Sequence, residues 1–195
     1  MEKGGSRDQE KFFALFGIAW RYARSFLMGA MIVMFVTFIV FPRIITKTNL
    51  HFIDLLGEDK QRQVTWTFWF FLFLMNLSDT LGKWIAGRTF ASTTDRLGYI
   101  LTYLRFIFLL TCNLIKFRLG PDWLLGPIQG DWFKLLNLIL FGVSNGFCLS
   151  IMAIKSRSRV PQEKQKEIGI FVGIFITIGL VLGGLVAIPA DVSSQ

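Results

Sequence analysis

Few side chains in this sequence are equipped for chemistry, and the informative ones fall inside apolar segments. Asn76, Asp79 and Lys83 follow one another at spacings of three and four, which on a helix places them along one side. They come directly after the aromatic run VTWTFWFFLFLM that begins at Val64. A helical rise of about 1.5 Å per residue puts Asp79 about 22 Å beyond Val64, still within hydrocarbon about 30 Å thick. A carboxylate at that depth is costly, so it must face protein or a water-filled cavity and have a partner. Lys83, one turn on, is the nearest partner. Arg105, about 12 Å into the next apolar segment, is the second. The chemistry on offer is hydrogen bonding and ion pairing with a polar solute. The competing reading is an ion pair at a helix end with Lys83 reaching for the interface, and spacing alone leaves the two even. For Arg105 a buried role is favoured over snorkelling. Asn145, within the Ser144-Asn145-Gly146 trio, is either a packing amide bonded across a close helix contact or a cavity-lining one, with packing favoured.

Catalysis is the poorest fit. The sequence has no phosphate-binding loop, no metal-ligand cluster and no Ser/His/Asp or Cys/His set in a plausible site. No catalytic residue, metal or cofactor is expected. The lone His51 sits in a polar loop without a suitably spaced second ligand. Cys112 and Cys148 both lie in apolar segments and read as small buried hydrophobes rather than a disulfide or metal pair.

The elements that must position these groups are membrane helices. Hydrophobic residues make up 53% of the 195, with 21 Phe, in long blocks that lack the polar face of a soluble helix. The fold class expected is an all-α integral membrane protein with five transmembrane helices, near 25–41, 64–85, 97–115, 132–154 and 168–188. Residues 1–24 form a polar N-terminus and an interfacial helix over 12–24, with Trp20, Tyr22, Arg21 and Arg24 suited to the headgroup level. Residues 25–188 form the transmembrane domain and 189–195 a short tail. The first span should stop at Phe41-Pro42, where proline removes a donor. Loops are expected over 43–63 and 116–131. A basic cytoplasmic loop carries Lys155, Arg157, Arg159, Lys164 and Lys166. In the last span, Gly169-x-x-x-Gly173 and Gly179-x-x-x-Gly183 predict tight helix packing.

The net charge of +8 sits mainly between the apolar blocks, so it marks topology rather than nucleic-acid binding. It puts the N-terminus on the cytoplasmic side and the C-terminus opposite, and leaves the choice of plasma or organelle membrane open. The polar lead-in lacks the apolar core and cleavage site of a signal peptide, and its acids do not suit a mitochondrial presequence. Met1 and that polar lead-in suggest a natural start over a truncated gene model.

Taken together, these motifs resemble the C-terminal half of an equilibrative nucleoside transporter, its helices seven to eleven. Asn76, Asp79, Gly82 and Lys83 match the family's eighth-helix pattern in order, with Lys for Arg. Phe41-Pro42 resembles the end of the seventh helix, Arg105, Phe108 and Asn113 the ninth, and Ser144-Asn145-Gly146 the tenth. Glu167 with the glycine-rich last span resembles the eleventh. Leu110 stands where the family usually has proline, and the six N-terminal helices have no counterpart.

The resemblance implies a major-facilitator-like fold, facilitated nucleoside transport by alternating access, and a substrate site built from Asp79, Lys83, Asn76, Arg105 and Asn145. It implies that Asp79 and Lys83 bond ribose hydroxyls. The expected partners are membrane lipid, a nucleoside, and a second transporter half, a homo-oligomer or a larger membrane complex; nucleic acid is not among them. A polar seam that lipid cannot satisfy makes a lone monomer unsuitable. The alternative reading is a non-transporting structural subunit of a larger membrane assembly derived from such a transporter.

Overall fold

The computed structural model describes residues 3–47, 50, 60–117 and 122–187. The helices are α1 (Lys3–Lys47), α2 (Lys60–Thr89), α3 (Asp95–Leu104), α4 (Phe106–Phe117), α5 (Asp122–Gln129), α6 (Asp131–Ser158) and α7 (Gln165–Ala187). A 3₁₀ turn over Gln162–Lys164 leads into α7. The described residues are helical almost throughout, the form that satisfies every backbone polar group internally where water is absent.

Among the described residues, four stretches are long and apolar enough to cross a bilayer: Glu10–Phe41, Asp95–Ile115, Asp131–Ser158 and Gln162–Ala187. The second expected span lies within α2, whose 30 residues have the length to cross. It does not join those four because Asn76, Ser78, Asp79, Thr80 and Lys83 interrupt its apolar run. The interfacial helix and the first span are not separate elements but one 45-residue helix. No proline lies between residues 12 and 41, and single glycines at 17 and 29 cost too little to break the helix there. That helix also continues past Pro42 to Lys47. His51, Asp54, Glu58 and Asp59, and the tail 189–195, lie outside the described residues. The segment 116–131, expected as a loop, contains the short helix α5 with Pro127 inside it.

Packing pairs α2 with α6 and α1 with α7, and α1 also lies against α6. Chain direction follows from the contacts. Met75, Asp79 and Lys83 meet residues 142 to 147 in increasing order, so α2 and α6 run parallel. Small residues set the approach. A Cβ on Gly179 would fall on the carbonyl of Met31, and one on Gly183 would lie 2.6 Å from the carbonyl oxygen of Phe35. This Gly179–Gly183 pair therefore seats α7 on α1 as its spacing predicted. Gly169 instead faces the Arg157 side chain of α6, and Gly173 has nothing within 4 Å, so neither glycine of the first pair meets a helix backbone among the described residues.

One end of the bundle is tied by charge. Thr94 caps α3 by accepting from the Leu97 amide. Lys155, only 8% exposed, donates to the Thr93 carbonyl and to Asp95 Oδ1, each at 2.6 Å. Arg159 joins the other oxygen of Asp95. The basic loop of the sequence reading is thus partly the last turn of α6, and Lys155 is a buried clamp on the α2–α3 turn.

Gly179→Leu should destabilise the α1–α7 contact by about 1–3 kcal/mol, the usual cost of overpacking. Gly173→Leu should leave stability unchanged, and thermal melting of both variants in detergent checks the contrast. Lys155→Met should speed amide exchange across residues 93–98, measured by hydrogen–deuterium exchange in nanodiscs.

Candidate functional site

The site begins where α2 and α6 touch backbone to backbone. A Cβ on Gly82 would fall on the carbonyl of Val143, and one on Gly146 on the carbonyl of Asp79. A Cβ on Gly142 would stand 2.6 Å from that of Ser78. Only glycine fits at these positions, and the resulting approach brings Asn145 of α6 within reach of Asp79 of α2.

From there a polar relay crosses four helices. Asn145 Nδ2 donates to Asp79 Oδ1 at 2.7 Å. Asn145 Oδ1 accepts from Thr37 of α1 at 2.6 Å and from Arg105 Nη2 at 3.1 Å. Arg105 Nη2 also donates to Thr37 Oγ1 at 2.8 Å, and Nη1 to Ser144 Oγ at 2.8 Å and the Phe141 carbonyl at 3.4 Å. Its guanidinium stands 4.9 Å from the centre of the Phe141 ring. Arg105 is 1% exposed, and its Nε has no partner among the described residues.

Local structure explains how Arg105 reaches these acceptors. It sits where α3 passes into α4, and the helix tightens there: its own amide bonds the Thr102 carbonyl, and the Phe108 amide bonds its carbonyl at 3.0 Å. This is an i→i+3 turn in the middle of a span that contains no proline. The side chain then lies between α1 and α6.

At the other end the relay opens. Asp79 Oδ2 pairs with Lys83 Nζ at 2.6 Å, with Asp79 14% and Lys83 53% exposed. Asn76 and Thr80 are exposed too, each bonded to a carbonyl one turn back at 2.8 Å. The arrangement is graded: a sealed cation among neutral acceptors, a half-sealed carboxylate, and an open ammonium.

Asp79, Lys83, Arg105 and Asn145 therefore come together, with one change of connection, whereas Asn76 makes its bond to the Leu72 carbonyl of its own helix. Lys83 is the ion-pair partner of Asp79, while Arg105 is joined to Asp79 through Asn145. Asn145 acts as the packing amide favoured for it, bonding across the close α2–α6 contact, and it also links the two charged groups. Thr37 was missed. A lone threonine in the run MIVMFVTFIV carries no spacing signal, and it also bonds the Val33 carbonyl as any helical threonine does. A second α4–α6 link, from Thr111 to Asn137 Oδ1 at 3.1 Å, was missed for the same reason. Cys112 and Cys148 are both buried, as their apolar settings predicted. Among the described residues no group of three His, Cys, Asp or Glu is placed to hold a metal ion.

Comparison with known proteins gives two matches. A family model described as nucleoside transporter matches residues 3–189. The nucleoside transporter FUN26 of Saccharomyces cerevisiae is 26% identical over 171 residues, covering 84% of this chain and 32% of the yeast protein. The chain thus spans about a third of the length of the curated relative it matches. No solved structure matches.

Asn145→Leu removes partners from Asp79, Arg105 and Thr37 at once. It should cost about 3 kcal/mol or more, since hydrogen bonds to charged groups are worth about 1.5–3 kcal/mol each. Ser144→Ala removes one bond to Arg105, whose Nη1 keeps the Phe141 carbonyl, and should cost about 1–2 kcal/mol. Chemical denaturation in mixed micelles orders the two.

Proposed function

This chain belongs to the nucleoside transporter family, and on that footing we propose that it forms one wall of a nucleoside pathway, with the Asp79–Lys83 end of the relay as its solute-binding edge. The observation that carries the reading is the exposure of Lys83, Asn76 and Thr80 beside a half-buried Asp79 on a helix flanked by apolar residues. Polar groups at that depth are too costly to leave against lipid. They suit a water-filled path with another protein wall across it. A ribose offers vicinal hydroxyls that donate to a carboxylate and accept from an ammonium, which is the pair Asp79 and Lys83 present. Lys83 is a point charge on a flexible stem, so it would hold a hydroxyl without the two-pronged geometry of an arginine.

Asn76 and Thr80 would extend the edge along α2, while Asn145 and Arg105 would hold Asp79 in place from behind rather than touch solute directly. Facilitated diffusion by alternating access follows if this five-helix unit rocks against a second unit about the site. That second unit is another chain, a second copy, or a further part of a longer protein. The excess of basic residues near 88–96 and 155–166 supports a cytoplasmic position for that end of the bundle, with the N-terminus on the same side.

The test is uridine flux in proteoliposomes containing the chain with whatever co-purifies from native membranes. Asp79→Asn should lower the initial rate at least tenfold, because a neutral amide no longer accepts through two charged oxygens. Lys83→Arg should retain flux and Lys83→Gln should lose most of it. Wild-type flux that is unchanged by Asp79→Asn would instead favour a scaffold role within a larger membrane assembly.

A further inference from the structure

A groove of about 550 Å³ runs between α1 and α3, away from the polar relay, with Trp20, Arg24, Met28 and Gly29 on one side and Thr102 and Tyr103 on the other. Its volume falls in the range of about 300–1,000 Å³ usual for small-molecule sites. Its mouth lies at the end of the bundle tied by Lys155 and Asp95. Phe26 stacks on Tyr99 with ring centres 5.3 Å apart, and the Arg159 guanidinium stands 6.0 Å from the same Phe26 ring. Arg24 is therefore level with the first turns of α3, where the Asp95–Ile115 span begins.

The groove is amphipathic along its length. Arg24 supplies a cation at the mouth, and Trp20, 41% exposed and stacked on Phe175, supplies an aromatic anchor of the kind that sits at headgroup level. Met28, Gly29 and Thr102 line the part that runs towards the bilayer centre. Arg24 to Gly29 is about 7–8 Å of helix rise, enough to pass from headgroup to acyl chain.

Arg24 also differs from Arg21, Arg88 and Arg159 at this end. Arg21 stands over the Tyr22 ring, Arg88 lies 4.0 Å from the centre of the Trp84 ring, and Arg159 is joined to Asp95. Arg24 makes no hydrogen bond, ion pair or ring contact among the described residues. An uncommitted guanidinium over an apolar groove at the membrane boundary calls for an anion that carries a hydrocarbon tail. From this we propose that the α1–α3 groove holds an anionic phospholipid, with its phosphate on Arg24 and one acyl chain along Met28, Gly29 and Thr102. The charge excludes preference for a zwitterionic lipid, and the apolar depth gives a free inorganic anion nothing to gain. Occupation would fill the space between α1, which carries Thr37, and α3, which Arg105 caps, so it bears on the geometry of the relay whether or not the chain transports.

The test uses the full chain, with any co-purifying partner, in a mild detergent. Native mass spectrometry follows retention of palmitoyl-oleoyl phosphatidylserine against palmitoyl-oleoyl phosphatidylcholine. Wild type should retain the serine lipid about fivefold more strongly, the size expected for one basic side chain at an anionic surface. Arg24→Gln should abolish that preference, Arg24→Lys should keep most of it, and Arg96→Gln, an exposed base outside the groove, should leave it intact. Equal retention of both lipids by wild type, or an undiminished preference in Arg24→Gln, would overturn the proposal. Should Arg24→Gln fail to purify, a phosphatidylserine with a photoreactive acyl chain decides on wild type in nanodiscs. Label concentrated on Met28, Gly29, Thr102 and Tyr103 supports the site. Label spread over the outer surface, or cross-links showing a protein segment seated in the groove, overturns it.

Discussion

A guanidinium sealed inside an apolar helical bundle must find acceptors there, and the rest of this structure is arranged around that need. Arg105 has no carboxylate beside it. It is held by a threonine, a serine, an amide and a backbone carbonyl drawn from α1 and α6. Removing one of several neutral acceptors leaves a buried charge short of solvation, so the helices supplying them cannot separate independently. The local tightening of the α3–α4 span at Arg105 is what carries the side chain to that junction.

The second requirement is closeness between α2 and α6. Glycine at 82, 142 and 146 removes the side chains that would hold the two backbones apart. Asn145 can then accept from Arg105 and donate to Asp79, and through this one amide the sealed cation is linked to the exposed ion pair. An amide suits the position because it has both donor and acceptor faces, and a carboxylate there would set two negative charges side by side. The relay thus joins a rigid interior to a surface with polar groups still available to a solute. Family membership gives that surface its proposed role.

Much of this was legible in the sequence because local spacing carries it. The apolar blocks marked the helices, three-and-four spacing put Asn76, Asp79 and Lys83 on one side, and Gly179-x-x-x-Gly183 marked the α1–α7 contact. What was not legible depends on partners far apart in the chain. The Lys155–Asp95 clamp joins residues 60 apart, and Thr37 is 68 from Arg105. A basic run after a span looks alike whether its first lysine is buried or solvated. Likewise Gly169-x-x-x-Gly173 has the same pattern as its neighbour but meets no helix backbone among the described residues. Spacing can mark a surface as approachable, but the partner must come from elsewhere in the chain.

The central claim is that the α2 edge carrying Asn76, Thr80 and Lys83 faces a solute path rather than lipid. Thiol accessibility tests it most directly, in a background with Cys112 and Cys148 replaced by alanine, using a membrane-impermeant reagent on the assembled protein in sealed vesicles. The account predicts that cysteine introduced at Asn76 and at Thr80 reacts readily and is protected by nucleoside, while cysteine at the exposed, apolar Leu81 does not react. Positions 76 and 80 as unreactive as 81, or reactive with no protection by nucleoside, would contradict it.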